Sequence, residues 1–248
     1  MKESDQMGKK YRILGVPFDV LTMTEAVFRV MDMMKGDKQR IICTPNPEIV
    51  VEAQNDNELM GILNQADMVV MDGTGITWAY KKLTGEKAPR IAGYDLVQEV
   101  FSAMSKTQYT AFFFGGKPGV AKRAAINMRK KYPGLRIVGV HDGYFTSAEE
   151  MKLILELKRL SPDLLLVGLG APKQEKWIYN NIRLTGAKIG IGVGGCFDVM
   201  SGDVKRAPEA MQKMRLEWFY RLVKQPTRAG RMMRLPKFMS MVNKSKRR

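Results

Sequence analysis

Five short apolar runs in this sequence each end in residues that can bind or transform a polar ligand. The run RIIC at Arg40–Cys43 leads into Thr44-Pro45-Asn46-Pro47-Glu48, where two prolines stiffen the loop and open a helix. In that loop Thr44 reads equally as a helix cap and as a site residue. The run at Met68–Met71 ends at Asp72-Gly73-Thr74-Gly75. A carboxylate at that point can take a proton from a sugar hydroxyl, or it can cap the helix that follows. The run at Tyr109–Phe114 opens into Gly115-Gly116-Lys117-Pro118-Gly119, a shape in which backbone N–H groups can cradle a phosphate. It is neither a Walker A loop nor G-x-G-x-x-G.

Two further runs complete the set. Leu164–Gly168 continues as Gly168-Leu169-Gly170-Ala171-Pro172-Lys173-Gln174-Glu175. Here Pro172 starts a helix, Gln174 suits a base or ribose, and Glu175 suits ribose hydroxyls; ordinary first-turn helix chemistry explains the same residues. Lys188–Val193 runs into Gly194-Gly195-Cys196-Phe197-Asp198, where the glycines permit close backbone approach and Asp198 either meets a ligand or caps a turn. Converging on one sheet edge, these five ends would fit a large polar ligand carrying a diphosphate and a sugar or nucleoside.

The elements that must hold them follow from periodicity. The runs are continuous rather than alternating, as strands buried on both faces are. An earlier run, Tyr11–Val16, is expected to pair at an edge. Helix-period stretches lie between the runs: Thr24–Lys35, Asn57–Gln65, Val120–Tyr132 and Ser147–Leu160, the last with a capping-box pattern of Ser147 and Glu150. Alternating strands and helices make an α/β chain with a mostly parallel sheet covered on both faces. We divide it into a body, residues 1–200, and a basic helical appendage, residues 201–248. The appendage reads as an amphipathic helix from Ala207 to Lys224 ended by Pro226, then a short helix from Thr227 stopped by Pro236, with a disordered tip.

Charge singles out the appendage. Of the chain's net +16, Ser201–Arg248 supplies +11, with 14 Lys and Arg against 3 Asp and Glu. Its basic residues are interleaved with Met, Leu216, Trp218, Phe219 and Tyr220, which suits an anionic surface such as a membrane. A nucleic acid is the alternative anion, but no reader motif accompanies the charge. No apolar run reaches bilayer-spanning length and no secretory signal opens the chain, so membrane contact is expected to be peripheral, from the cytoplasm. Cys43 and Cys196 read as free thiols. One histidine, His141, leaves little for a catalytic triad or a zinc site. Asp-x-Asp is absent, so a departing diphosphate would rely on arginines and helix N-termini.

Taken in order, these motifs resemble the WecG/TagA/CpsF glycosyltransferases across roughly residues 10–235. They include Arg90-Ile91-Ala92-Gly93-Tyr94-Asp95, Arg206-Ala207-Pro208 and Glu217-Trp218-Phe219-Tyr220-Arg221. The resemblance implies a Rossmann-like sheet and an inverting transferase that needs no divalent metal or other cofactor. Its TagA-like branch would move N-acetylmannosamine from a UDP donor to the 4-hydroxyl of undecaprenyl-diphosphate-linked N-acetylglucosamine, in wall teichoic acid synthesis. Asp72 matches the family's proposed general base. Thr44, Asn46, Arg90, Gln174 and Asp198 match pocket positions, and Arg221, Arg228 and Arg231 match arginines that reach the diphosphate. Related branches use N-acetylmannosaminuronic acid or other hexoses. An open apolar face on the appendage also leaves room for a homo-oligomer.

Overall fold

A computed structural model describes residues 9–208 and 234–246, together with positions 210, 211, 214, 219, 220 and 230. Six parallel strands form one sheet: β3 (Arg40–Cys43), β4 (Met68–Val69), β5 (Thr110–Gly115), β6 (Arg136–His141), β7 (Leu164–Gly168) and β8 (Ile189–Gly192). Their order across the sheet is β4-β3-β8-β7-β5-β6. Helices alternate with the strands: α1 (Met23–Met33), α2 (Pro47–Ala53), α3 (Asn57–Gln65), α4 (Thr74–Thr84), α5 (Gly93–Met104), α6 (Val120–Lys131), α7 (Ser147–Leu160), α8 (Lys173–Thr185) and α9 (Cys196–Met200). The fold is the Rossmann-like α/β arrangement expected, with apolar clusters on both sides of the sheet.

The central strands are buried on both faces, which is why their sequences are unbroken apolar runs. Leu164, Leu165, Leu166 and Val167 are all fully buried; alternate residues join opposite clusters. Strand β4 is shorter than its apolar run. After Val69 the chain bends, with the Asp72 N–H donating to the Val70 carbonyl at 3.0 Å, and this bend delivers Asp72 to the carboxyl edge of the sheet.

Four local expectations shift. The Tyr11–Val16 run is a hairpin rather than one strand: β1 (Lys10–Ile13) pairs antiparallel with β2 (Val16–Asp19). Leu14 and Gly15 both have positive φ, 49° and 84°, as a twist-matched two-residue turn requires. The hairpin does reach the sheet edge, through a parallel bridge from Asp19 to Val70. The capping box of α7 is Thr146 with Glu149, one residue before the expected pair; Glu150 instead accepts from the Trp177 indole at 2.7 Å.

Pro236 does not stop a helix. It lies in the first turn of a C-terminal helix, Arg234–Ser245, where its missing N–H removes no intrahelical bond. Phe238 and Val242, one turn apart, are fully buried on α2 and α4. The segment read as a disordered tip thus starts as helix, through Ser245. No helix among the described residues is long and apolar enough to cross a membrane. Most of the expected helix from Ala207 to Lys224, and most of that from Thr227, lies outside the described residues.

Candidate functional site

A cavity of about 450 Å³ opens at the carboxyl edge of the sheet. The ends of β3, β4, β5, β7 and β8 all contribute to it, through Thr44, Asp72, Gly116, Gly168 and Gly192. This is the edge where α/β sheets bind ligands. Of the residues expected at a site, Thr44, Asn46, Asp72, Arg90, Gly116, Gly168, Gly170, Gln174, Gly194, Gly195 and Asp198 line the cavity. Arg221, Arg228 and Arg231 lie outside the described residues.

Local structure decides between the two readings open at several positions. Helix α2 is capped by Asn46, whose side-chain oxygen accepts from the Ile49 N–H at 3.1 Å, so Thr44 is not the cap. The Thr44 hydroxyl donates toward the Gly192 carbonyl at 3.4 Å, tying β3 to β8 at the cavity floor. Gly93, at the start of α5, sits so close that a Cβ there would lie 3.1 Å from the Thr44 hydroxyl oxygen. Asp72 is not a helix cap. That position in α4 belongs to Gly73, with φ 85° and no side-chain cap hydrogen bond. The half-buried Asp72 carboxylate borders the cavity instead. Arg90 reaches the same wall because the neighbouring Ile91 N–H donates to the Met71 carbonyl at 3.2 Å, laying that segment beside the Asp72 turn. Asp198 sits inside the first turn of α9, which Gly195 precedes without a side-chain cap, and it too faces the cavity.

Three expected residues are absent from the lining. Gly115 ends β5 with φ 131°, and a Cβ there would stand 2.5 Å from the Gly168 backbone; glycine is required for strand approach, not for a ligand. The Gly116 N–H is committed to the Gly168 carbonyl at 3.0 Å, so this loop does not offer that N–H to a phosphate. Pro172 occupies the N-cap position of α8, half-buried beside the cavity-lining Ala171. Glu175 is turned inward and 3% exposed; burial pushes its carboxyl above the usual carboxylate range. It is therefore not placed to take ribose hydroxyls.

Helix ends and Arg90 at the cavity give it groups that attract an anion. The first turns of α4 and α5 meet it, through Thr74 and Gly93, and first-turn N–H groups carry partial positive charge; in α8 the Gln174 N–H is committed to the Gly170 carbonyl at 3.0 Å. The arrangement suits a polyanionic ligand held against a carboxylate, Asp72, that can act as a base.

Sequence reasoning missed several wall residues. Tyr94 lines the cavity and carries the Arg206 guanidinium 4.8 Å from its ring centroid, while Arg206 grips Asp95 through two bonds of 2.6 and 2.8 Å. Burial raises the Tyr94 phenol above its ordinary value, and Arg206 partly offsets this. Glu48 and Glu52 of α2 and Arg234 and Leu235 of the C-terminal helix also line it, with Arg234 paired to Glu52. The available signal was the spacing of Phe238 and Val242, which marks a helix with a face to bury.

Comparison with known proteins agrees with this architecture. The sequence model of the glycosyl transferase WecG/TagA/CpsF family matches residues 11–248. A Bacillus subtilis (strain 168) protein named N-acetylglucosaminyldiphosphoundecaprenol N-acetyl-beta-D-mannosaminyltransferase is 37% identical over 199 residues, covering 80% of this chain and 77% of its own. A protein of the same name from Staphylococcus aureus (strain MRSA252) is 33% identical over 241 residues, covering 96% and 94%. Its Bacillus spizizenii counterpart is 35% identical over 217 residues, covering 88% and 82%. The match spans the cavity, the sheet that builds it and the C-terminal helix, and the chain belongs to the glycosyl transferase WecG/TagA/CpsF family.

Proposed function

We propose that this chain transfers N-acetylmannosamine from UDP-N-acetylmannosamine to the 4-hydroxyl of N-acetylglucosamine linked to undecaprenyl diphosphate. The names of its relatives support the acceptor and the sugar. The observation that carries the reading is Asp72, which stands outside the N-cap position of α4 and lines a cavity that the first turns of α4 and α5 also meet. Asp72 takes the proton of the acceptor hydroxyl as its oxygen bonds to the donor's anomeric carbon. The bond from that carbon to the diphosphate breaks on the opposite face, so the configuration inverts and UDP departs with the electron pair. The first turns of α4 and α5 stabilise the charge that develops, and Arg90 adds positive charge at the cavity wall; the appendage arginines Arg221, Arg228 and Arg231 supply more, as the family resemblance implies. These groups do without a divalent metal the work that a metal does in other sugar-nucleotide enzymes.

The lipid acceptor sets the location. The basic segment from Ser201 onward docks on the anionic inner face of the cell membrane, where the lipid diphosphate is presented. The experiment is product analysis by mass spectrometry, with UDP-N-acetylmannosamine, its uronate and UDP-glucose offered separately to the lipid acceptor. Formation of an N-acetylmannosaminyl disaccharide on the lipid supports the reading. A product only from the uronate or hexose donor overturns it.

A further inference from the structure

Glu175 lies beneath the cavity wall, in a bonded chain that ends on the cavity. Its Oε1 accepts from the Gln174 side-chain N–H at 2.8 Å, and the Gln174 side-chain oxygen accepts from the Gly194 backbone N–H at 2.8 Å. Gln174 and Glu175 are each 3% exposed, while Gln174 and Gly194 both line the cavity. The chain therefore joins the first turn of α8 to the loop after β8. Its geometry is narrow. A Cβ at Gly192 would stand 2.6 Å from the Gln174 amide nitrogen, and Gly194 holds φ 51°, in the left-handed region. The second oxygen of Glu175 is buried with no hydrogen-bond partner. Folding has buried a costly group here, and an apolar residue of the same shape would fill the space more cheaply.

What the carboxyl supplies is an acceptor. A glutamine amide has two orientations of similar shape but opposite polarity. The Gly194 N–H can only donate, so it needs the amide oxygen; the carboxyl oxygen needs the amide N–H. Together they admit one orientation, and the flipped amide would set donor against donor and acceptor against acceptor. We propose that Glu175 is a positioning residue: it locks the Gln174 amide and, through it, the left-handed Gly194 loop at the cavity wall. The amide's second N–H is then held in a fixed place on the wall. Glu175 itself touches no substrate. The kinetic consequence rests on the transferase reading; the structural one does not.

The test compares Glu175→Met, which removes the acceptor, with Glu175→Gln, which keeps one. It reads hydrogen exchange at the Gly194 amide and kcat/KM for acceptor-dependent UDP release. Loss of one brace bond should speed Gly194 exchange about tenfold or more in Glu175→Met and lower kcat/KM by a similar factor, with Glu175→Gln rescuing both. In a Gln174→Met background, Glu175→Met should add almost nothing, because the two residues act as one unit. Gly194 exchange unchanged in Glu175→Met would overturn the assignment, as would equal losses in both backgrounds. So would a Glu175→Met protein that fails to fold while Glu175→Gln folds, since Glu175 would then serve the assembly of the core. Absence of turnover in the wild type would refute the transferase reading alone, because hydrogen exchange still tests the brace.

Discussion

Phe238→Ala probes how the chain's end is fixed beside the cavity. Phe238 and Val242 are fully buried between α2 and α4, and the same helix brings Arg234 and Leu235 to the cavity wall. Burying two such side chains contributes about 1.5–3 kcal/mol each before the ordering entropy of the helix is counted. Truncating Phe238 removes roughly half of that and leaves a void, for a total loss of about 3–5 kcal/mol. If the helix stays docked until global unfolding, Tm falls by about 6–20 °C for a chain of this length. If it releases first, Tm moves less, and residues 234–246 lose amide protection while the sheet keeps its own. Both regimes are read by thermal unfolding combined with hydrogen exchange. Met239→Ala, on the 39% exposed side of the same helix, is the control and should cost less than about 0.5 kcal/mol. A Phe238→Ala protein with unchanged Tm and unchanged exchange over 234–246 would refute the docking described here.

Three other outcomes follow from the same structure. Gly115→Ala places a methyl group 2.5 Å from the Gly168 backbone at φ 131°, so it should destabilise by about 2–5 kcal/mol, read as a lower urea midpoint. Glu175 has a carboxyl raised by burial, so the unfolded chain ionises before the native one does. Its contribution to stability is full below the ordinary carboxylate value of 4.5 and declines as pH rises from there through its raised native value. The stability difference between Glu175→Gln and wild type should therefore shift in the variant's favour across that window; a pH-independent difference contradicts the sign. The full chain should sediment with anionic vesicles and not with neutral ones, and equal sedimentation with both would remove the electrostatic part of membrane docking.

How much of this was legible beforehand depended on how local the information was. The strands at Arg40–Cys43 and Leu164–Gly168 were readable to the residue, because burial on both faces leaves an unbroken apolar run. The convergence of five strand ends followed from parallel topology alone. Asp72 was visible as a candidate, but sequence does not display that Gly73, at φ 85°, takes the N-cap position of α4 in its place. Glu175 was misread because its neighbours in sequence look like a ligand loop, whereas the helical phase of α8 turns it into the interior. Gly115 and Gly116 looked like a phosphate cradle because a close strand crossing demands the same residue type. Arg234 and Leu235 were hidden by distance along the chain: only the docking of Phe238, some 190 residues after the α2 start, reveals that they reach the cavity. Pro236 was ambiguous for a local reason, since proline both ends helices and opens them.

We propose that Asp72 acts as the base in a metal-free transfer to a lipid-linked sugar. The measurement closest to it is UDP release from UDP-N-acetylmannosamine in EDTA, with and without the N-acetylglucosamine lipid acceptor, for wild type and Asp72→Asn. The wild type should release UDP in an acceptor-dependent way, and a folded Asp72→Asn protein should do so about 10²–10⁴-fold more slowly. Release that needs added divalent metal, or that survives at near wild-type rate in Asp72→Asn, would contradict the proposal.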